Sequence, residues 1–305
     1  MELNKINDDN PLINYQNNGE IEIHLSEKEA LDLATHLKEK LQAGLPIDSN
    51  PESISAMVAG LGDPRGLLRR SFAESLGSVG QAAVPALCQA MRSSSEVTVK
   101  RAAAKTLALI RDPASLPDLL NTFLSDSDSV VQGSTMGAMV SMGENAVDTI
   151  LGIVENPKTT EMQIGLATWA LSLIGERSPE ALLSAINSKN TNIRKASISA
   201  FIGQIQTLEV ESNKKIILDA LSDPDPEIRA EAASFLGTID EEKTIAPLLC
   251  PLLSDSDSWV RKNSALSLMK LKSTSSIQWL QERLEHENDE IVLNVLKLSI
   301  SQLQT

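Results

Sequence analysis

The sequence predicts an all-α fold, a right-handed α-solenoid of about eight helix pairs preceded by an N-terminal capping helix. Three observations carry this prediction. The stretch "SDSDSWVRKNSALSLMKL" from Ser254 nearly repeats "SDSDSVVQGSTMGAMVSM" from Ser125, 129 residues earlier, and the interval between them is filled by further copies at a shorter period. Within each copy, apolar or small residues fall at positions 0, +4, +8 and +11 from a common origin, which is one face of a helix of period 3.6. Aromatic residues make up only 3% of a chain that is 42% hydrophobic. A core built from Ala, Leu, Ile, Val and Met suits thin layers of close-packed helices.

In chain order, residues 1–25 open with an Asn- and Asp-rich stretch and are expected to be flexible. Residues 26–49 form the capping helix: Ser26 and Glu29 make a capping box, Gly44 stops the helix, and Pro46 follows. Its apolar face, Leu33, Leu37 and Leu41, is placed to cover the first repeat. The array spans residues 50–305. Its second helices have origins at Leu68, Val99, Val131, Gln163, Ile193, Ile228, Val260 and Val292, spaced 31, 32, 32, 30, 35, 32 and 32 residues apart. The 129-residue interval is therefore four repeats. Ahead of each origin runs a second amphipathic segment, such as "VPALCQAM", "LPDLLNTFL" or "IAPLLCPLL". No single unit of two helices can bury its own apolar faces, so the units must stack.

The turns between the helices, "GDPR", "SDPDPE", "HENDE" and the two "SDSDS" stretches, place Asp, Ser or Asn just ahead of the second helix, where a side-chain oxygen accepts from free backbone N–H groups. A calcium loop needs a central Gly and a terminal Glu at fixed spacing, and both are missing. The pattern D-x-x-V-R-x-x-A-x-x-x-L-G, best kept in "DPEIRAEAASFLGTI" at 225–239 and "DSWVRKNSALSLMKL" at 257–271, resembles HEAT repeats. The short units of about 32 residues are similar to the HEAT-like repeats of the phycobilin lyase family of cyanobacteria. That resemblance implies an inter-repeat ladder of Asp and Arg, carried here by Asp225 with Arg229 and Asp257 with Arg261, and extended to Arg194, Arg69 and Lys100. Gln132, Ile164 and Leu293 depart from the pattern.

The formal net charge of −14 opposes binding to nucleic acid or to an anionic membrane, and "RGLLRR" at 65–70 is the one local cluster of cations. The first residues lack a basic-then-apolar leader pattern and no apolar run reaches the ~18 residues of a membrane span, so a cytoplasmic protein without membrane insertion is expected. No catalytic constellation emerges. His24, His36 and His286 have no matched Cys or carboxylate partners, and read as solvated surface groups. Cys88 and Cys250 lie in the first helices of the second and seventh repeats, read as small buried fillers, and are too many helix layers apart to form a disulfide. Neither a metal site nor a cofactor is expected.

Opposite the core face, position +6 of the second helices reads Glu74, Lys105, Gly137, Trp169, Ser199, Ser234, Leu266 and Leu298. In solenoids of this kind that side lines a concave groove. Trp169 is the one aromatic in the row, and Leu166 and Leu173 flank it on the same helix. Two readings stand. Either Leu166, Trp169 and Leu173 form an apolar partner-binding ridge, or the helix is rotated and Trp169 is core. Three functions follow: a non-catalytic scaffold or assembly chaperone holding another protein in the groove; a phycobilin lyase or isomerase subunit, in which Trp169 stacks on a bilin and Cys or His residues assist thioether chemistry; or an accessory of iron–sulfur carrier proteins with an exposed Cys88 or Cys250. Of these the scaffold is the expected function, and bilin enters only with the second.

Overall fold

The computed structural model describes residues 13–15, 21–23, 25–175, 177, 180–205 and 211–304, in two compact units, Met1–Ala170 and Leu171–Thr305. The predicted all-α solenoid of helix pairs is present in both. In the first unit, α1 (Glu27–Gln42) starts at the expected capping box, with the Glu29 N–H donating to Ser26 Oγ at 3.3 Å and the Ser26 N–H donating to Glu29 Oε2 at 2.8 Å. It buries Ala30, Ala34 and Leu37. The helix pairs are α2 (Pro51–Ala59) with α3 (Gly66–Val79), α4 (Val84–Ser93) with α5 (Val97–Ile110), α6 (Leu116–Ser125) with α7 (Ser129–Ser141), and α8 (Val147–Glu155) with α9 (Glu161–Gly175), the last turn of which belongs to the second unit. Ahead of α1, a short antiparallel ribbon of β1 (Ile13–Tyr15) and β2 (Ile21–Ile23) sits in the stretch expected to be flexible, with Ile13 opposite Ile23. An expectation of helices alone omits it. The sequences "INY" and "IEI" alternate strand-forming residues with polar ones, which favours pairing.

The second unit continues with α10 (Glu180–Ile186) and α11 (Thr191–Ile205), α12 (Glu211–Ala220) and α13 (Pro226–Leu236), α14 (Glu242–Leu249) and α15 (Ser258–Lys270), and α16 (Ile277–His286) and α17 (Glu290–Leu303). Its core gathers Phe201, Ile217, Leu236, Leu249, Leu268 and Leu296. In the first unit Phe72, Leu87, Leu107, Phe123 and Met136 are fully buried. Consecutive second helices meet through small buried residues, Ala103 and Ala104 on α5, Ala138 on α7, Ala232 and Ala233 on α13, and Ala265 on α15. Close approach of helix backbones leaves little volume for rings, which accounts for the low aromatic content.

The turns hold two acids with different tasks. The second acid caps the following helix: Asp128, Asp225, Asp257 and Asp289 each accept from two backbone N–H groups of the first turn. The first acid receives a cation from the repeat before. Arg194 reaches Asp223 through Nε and Nη2, both at 3.0 Å; Arg229 reaches Asp255, both at 2.8 Å; Arg261 reaches Glu287 at 2.7 and 2.8 Å; Lys100 reaches Asp126 at 2.7 Å. The ladder thus corrects the expected pairing of Asp225 with Arg229 and of Asp257 with Arg261. Asp225 and Asp257 already spend Oδ1 on the helix N-terminus, and the guanidinium projects to the next turn instead. Arg229 and Arg261 stay tied to their own turns as well, donating Nη1 to the carbonyls of Asp223 and Pro224 and of Asp255 and Ser256. Arg69 makes only the equivalent carbonyl contact, to Asp63. Gln132, where a cation is missing, donates to the Asp126 carbonyl at 2.7 Å. For Asp126, Asp223, Asp255 and Glu287, burial pushes the carboxyl pKa up, but hydrogen bonds from the cation and the turn N–H groups outweigh it and hold each below the ordinary range.

Candidate functional site on the open face of the second helices

In α9 the core positions run Gln163, Ala167, Leu171 and Ile174, all buried, so the helix keeps the same register as its neighbours. Gln163 is tolerated there because both ends of its amide have partners. Its Oε1 accepts from the Thr160 N–H at 3.0 Å, its N–H donates to Thr160 Oγ1 at 3.3 Å, and its Nε2 donates to the Phe123 carbonyl at 3.2 Å. This is a capping box in which the Gln also satisfies the end of α6. Trp169 is therefore not core: it is 49% exposed, as Met162 is at 52%, with Leu166 half-buried between them. Leu173, one turn further along, is half-buried as well.

On α7, the second helix of the repeat before, the corresponding face carries exposed Val130 and two glycines, Gly133 and Gly137. A Cβ at either glycine meets nothing within 4 Å. The Ser134 hydroxyl folds back onto the Val130 carbonyl at 2.7 Å, so it offers little to a neighbour. On α3 and α5 the face turns charged, with Arg70 paired to Glu74 at 2.7 Å and Lys105 exposed.

The open face of the second unit is polar and holds residues the +6 row does not single out. On α13 the Glu231 carboxylate is held by the Ser199 hydroxyl of α11, with Oγ 2.7 Å from each oxygen. One turn earlier Lys195 of α11 pairs with Glu227 at 2.7 Å and with Asp225 at 3.3 Å. On α15, Asn263 donates to the Ala230 carbonyl at 3.0 Å, and Lys262 sits 3.5 Å above the ring of Trp259, which is 60% exposed. Burial pushes the Glu231 carboxyl up, the Ser199 hydrogen bond offsets part of this, and the Glu227 charge adds to it. A signal for Glu231 exists in the sequence: position +3 reads Ser71, Ala102, Ser134, Leu166, Ala196, Glu231, Asn263 and Val295, with a single charge.

The thiols take no part in these faces. Cys88 and Cys250 are free and buried. Burial, with the nearby Asp118 carboxylate, pushes the Cys88 thiol up to about 12, and burial raises Cys250 too. That removes the exposed thiol needed by the iron–sulfur reading, and removes thiol assistance from the lyase reading. His36 and His286 are exposed on α1 and at the end of α16, and His24 lies outside the described residues.

A model of HEAT repeats matches residues 54–140 and 215–301. Bilin biosynthesis protein MpeU of Synechococcus sp. (strain WH8020) is 47% identical over 279 residues, which is 92% of this chain and 94% of that protein. The chain belongs to the HEAT-repeat family, beside MpeU. An uncharacterized phycocyanin operon protein Z of Pseudanabaena tenuis is 25% identical over 52% of this chain and 82% of its own length. Among solved structures, the complex of CpcE and CpcF of phycocyanin lyase from Nostoc sp. aligns at 17% identity, over 85% of this chain and 98% of that one, with a TM-score of 0.33.

The likeness to MpeU overturns the expected non-catalytic scaffold or assembly chaperone. That expectation leaned on the lack of any linear catalytic spacing. In a solenoid each helix contributes one or two side chains to a shared face, so reactive groups lie a whole repeat apart in sequence and leave no local motif. Among the described residues no helix is long and apolar enough to cross a membrane.

Proposed function

We propose that this HEAT-repeat chain is a bilin lyase, promoting attachment of a linear tetrapyrrole to a phycobiliprotein. The observation that carries the reading is 47% identity, over 92% of this chain, to a bilin biosynthesis protein. The chemistry asks for addition of a thiol across a conjugated double bond of the bilin: the S–H bond breaks, a C–S bond forms, and a proton is delivered to carbon, without any redox change. Both thiols of this chain are buried and held protonated, so the sulfur comes from the acceptor protein. The chain's own tasks are then to hold the bilin, seat the acceptor and manage the proton.

Leu166, Trp169 and Leu173, with Met162 beside them, are proposed to seat the acceptor. A half-exposed Trp on an apolar ridge is the kind of anchor that a protein partner covers, and the bare backbone at Gly133 and Gly137 admits close approach. The test is co-expression of the chain with a bilin source and an apo-phycobiliprotein subunit, followed by detection of covalently bound bilin on the denatured acceptor. Chain-dependent attachment is expected. Equal colour on the acceptor with and without the chain refutes the reading.

A further inference from the structure

The central carboxyl on the open face of the second unit, Glu231, is unlike the acids of the ladder. The ladder acids each hold a cation and sit in a turn. Glu231 sits within a helix, is held by a neutral hydroxyl, and among the described residues has no cation within ion-pair distance. Lys195, the cation on the adjoining helix, is drawn one turn away by Glu227 and Asp225. On the other side, α15 presents the exposed ring of Trp259 with Lys262 above it, and an Asn263 amide pinned to the Ala230 carbonyl. A structural carboxylate gains most from a cation, and this one is kept without.

We propose that Glu231 is the proton-transfer group of the bilin reaction, positioned by Ser199, with the face of α11, α13 and α15 receiving the reacting end of the tetrapyrrole. This rests on the bilin-lyase reading above and adds to it the site of proton delivery. The Glu231 O–H gives its proton to the bilin carbon at one end of the double bond while the acceptor's sulfur bonds the other end. The proton released by the thiol returns to the Glu231 carboxylate, so the acid is restored and no electron is gained or lost. The side chains around it match the ligand. The exposed Trp259 ring offers a flat apolar wall, and Lys262 beside it offers positive charge to acidic substituents of the bilin. The raised pKa of Glu231 keeps part of the population protonated at higher pH than an ordinary carboxyl, as a general acid requires.

Of the charged groups on the three helices, Glu227 of α13 acts on Glu231, whereas Lys195 of α11 is paired with Glu227 and Asp225 and Lys262 of α15 lies over the Trp259 ring, so the test uses Ser199 and Glu227. Glu231→Gln keeps a hydrogen bond to Ser199 but carries no acidic proton. It is expected to bind bilin with the wild-type absorbance change and to attach it about 100-fold more slowly. The wild-type rate is expected to fall as pH rises through the Glu231 pKa. Ser199→Ala, which removes a hydrogen bond that lowers that pKa, shifts the falling limb to higher pH; Glu227→Gln, which removes a repelling charge, shifts it lower. Wild-type attachment by Glu231→Gln, or a limb that neither neighbour moves, overturns the role of Glu231 and leaves the lyase reading standing. Should Glu231→Gln lose its helical signal, the two pH profiles decide alone. A wild-type chain that attaches no bilin overturns the lyase reading, and this role with it.

Discussion

Four glycine-to-alanine substitutions test the register of the helices and the open face together, because the structure assigns them opposite signs. Gly133 and Gly137 lie inside α7 with nothing within 4 Å of a Cβ at either position. Glycine in a helix interior is less favourable than alanine by about 0.8–1.0 kcal/mol. Each of Gly133→Ala and Gly137→Ala is therefore expected to stabilise by about 1 kcal/mol, and the pair by nearly 2, since the two added methyl groups share only a helix face. A Cβ on Gly60, by contrast, runs into the Phe72 ring, which is fully buried, and one on Gly237 runs into Ser267, backbone included. Overpacking of that kind costs roughly 1–3 kcal/mol, which exceeds the propensity gain. Thermal unfolding followed by circular dichroism reads all four. The double α7 variant should melt several degrees higher and Gly60→Ala and Gly237→Ala lower. A loss of stability at Gly137 means that its Cβ direction is not open, and the face assigned to α7 is wrong. The same double variant places two methyl groups where the acceptor is proposed to approach, so attachment of bilin should slow while stability rises. Unchanged attachment refutes close approach at these glycines.

Three further outcomes follow. Glu287→Gln removes the charge that Arg261 and Arg283 share, leaving a buried guanidinium without its counter-ion, and should cost about 3–5 kcal/mol by thermal unfolding; Glu74→Gln, in an exposed pair, should cost under about 1 kcal/mol. Equal effects of the two variants would contradict the ladder as a stabilising element. Asp126, Asp223, Asp255 and Glu287 have folded-state pKa values below their unfolded values of 3.8 for Asp and 4.5 for Glu, so the stability they contribute is complete above about pH 5 and is lost as pH falls through the depressed values. Helical signal should hold down to roughly pH 4 and fall only below it, whereas a transition between pH 5 and 7 would point to other groups. Trp169→Ala should weaken capture of the acceptor by about 2 kcal/mol or more with melting lowered far less than the 3–5 kcal/mol of a buried aromatic; melting lowered by that full amount would return Trp169 to the core.

The helix pairs were legible because the same apolar spacing recurs at a period of about 32 residues, and each recurrence checks the register of the others. Even the irregular origin at Gln163 held, since Thr160 and the Phe123 carbonyl give its amide partners in the core. The ladder was legible in composition but not in pairing. In "SDSDS" the two acids stand two residues apart, and only the backbone path of the turn decides that Asp257 faces its own helix while Asp255 faces the preceding repeat. The thiols were legible as buried fillers from their place in the first helices. The bilin reading was legible only as an alternative through the family resemblance, and the groups on the open faces were not, because they come from separate helices. Ser199 and Glu231 meet at 2.7 Å although 32 residues apart. Reading the +6 row finds Trp169, whereas Glu231 stands out only in the +3 row and Trp259 only one position ahead of the origin.

Each second helix divides its circumference among tasks that barely share atoms. Positions 0, +4 and +8 face the core, +1 carries the ladder cation in α5, α11, α13 and α15, and +6, with +3 in most of the helices, lies away from the core. Helical geometry separates +1 from +3 by about 160° and from +6 by about 140° around the axis, so a change at one need not disturb the other. In α13 this puts Arg229, which holds Asp255, and Glu231, which holds Ser199, on different sides of one helix. Stability and chemistry should then respond independently to substitution. Arg229→Gln is expected to lower melting while leaving the pH dependence of attachment in place, and Glu231→Gln to do the reverse. A helix whose two variants moved both properties together would be one in which the ladder sets the position of the carboxyl, and Glu231 would then be a structural group rather than a proton donor.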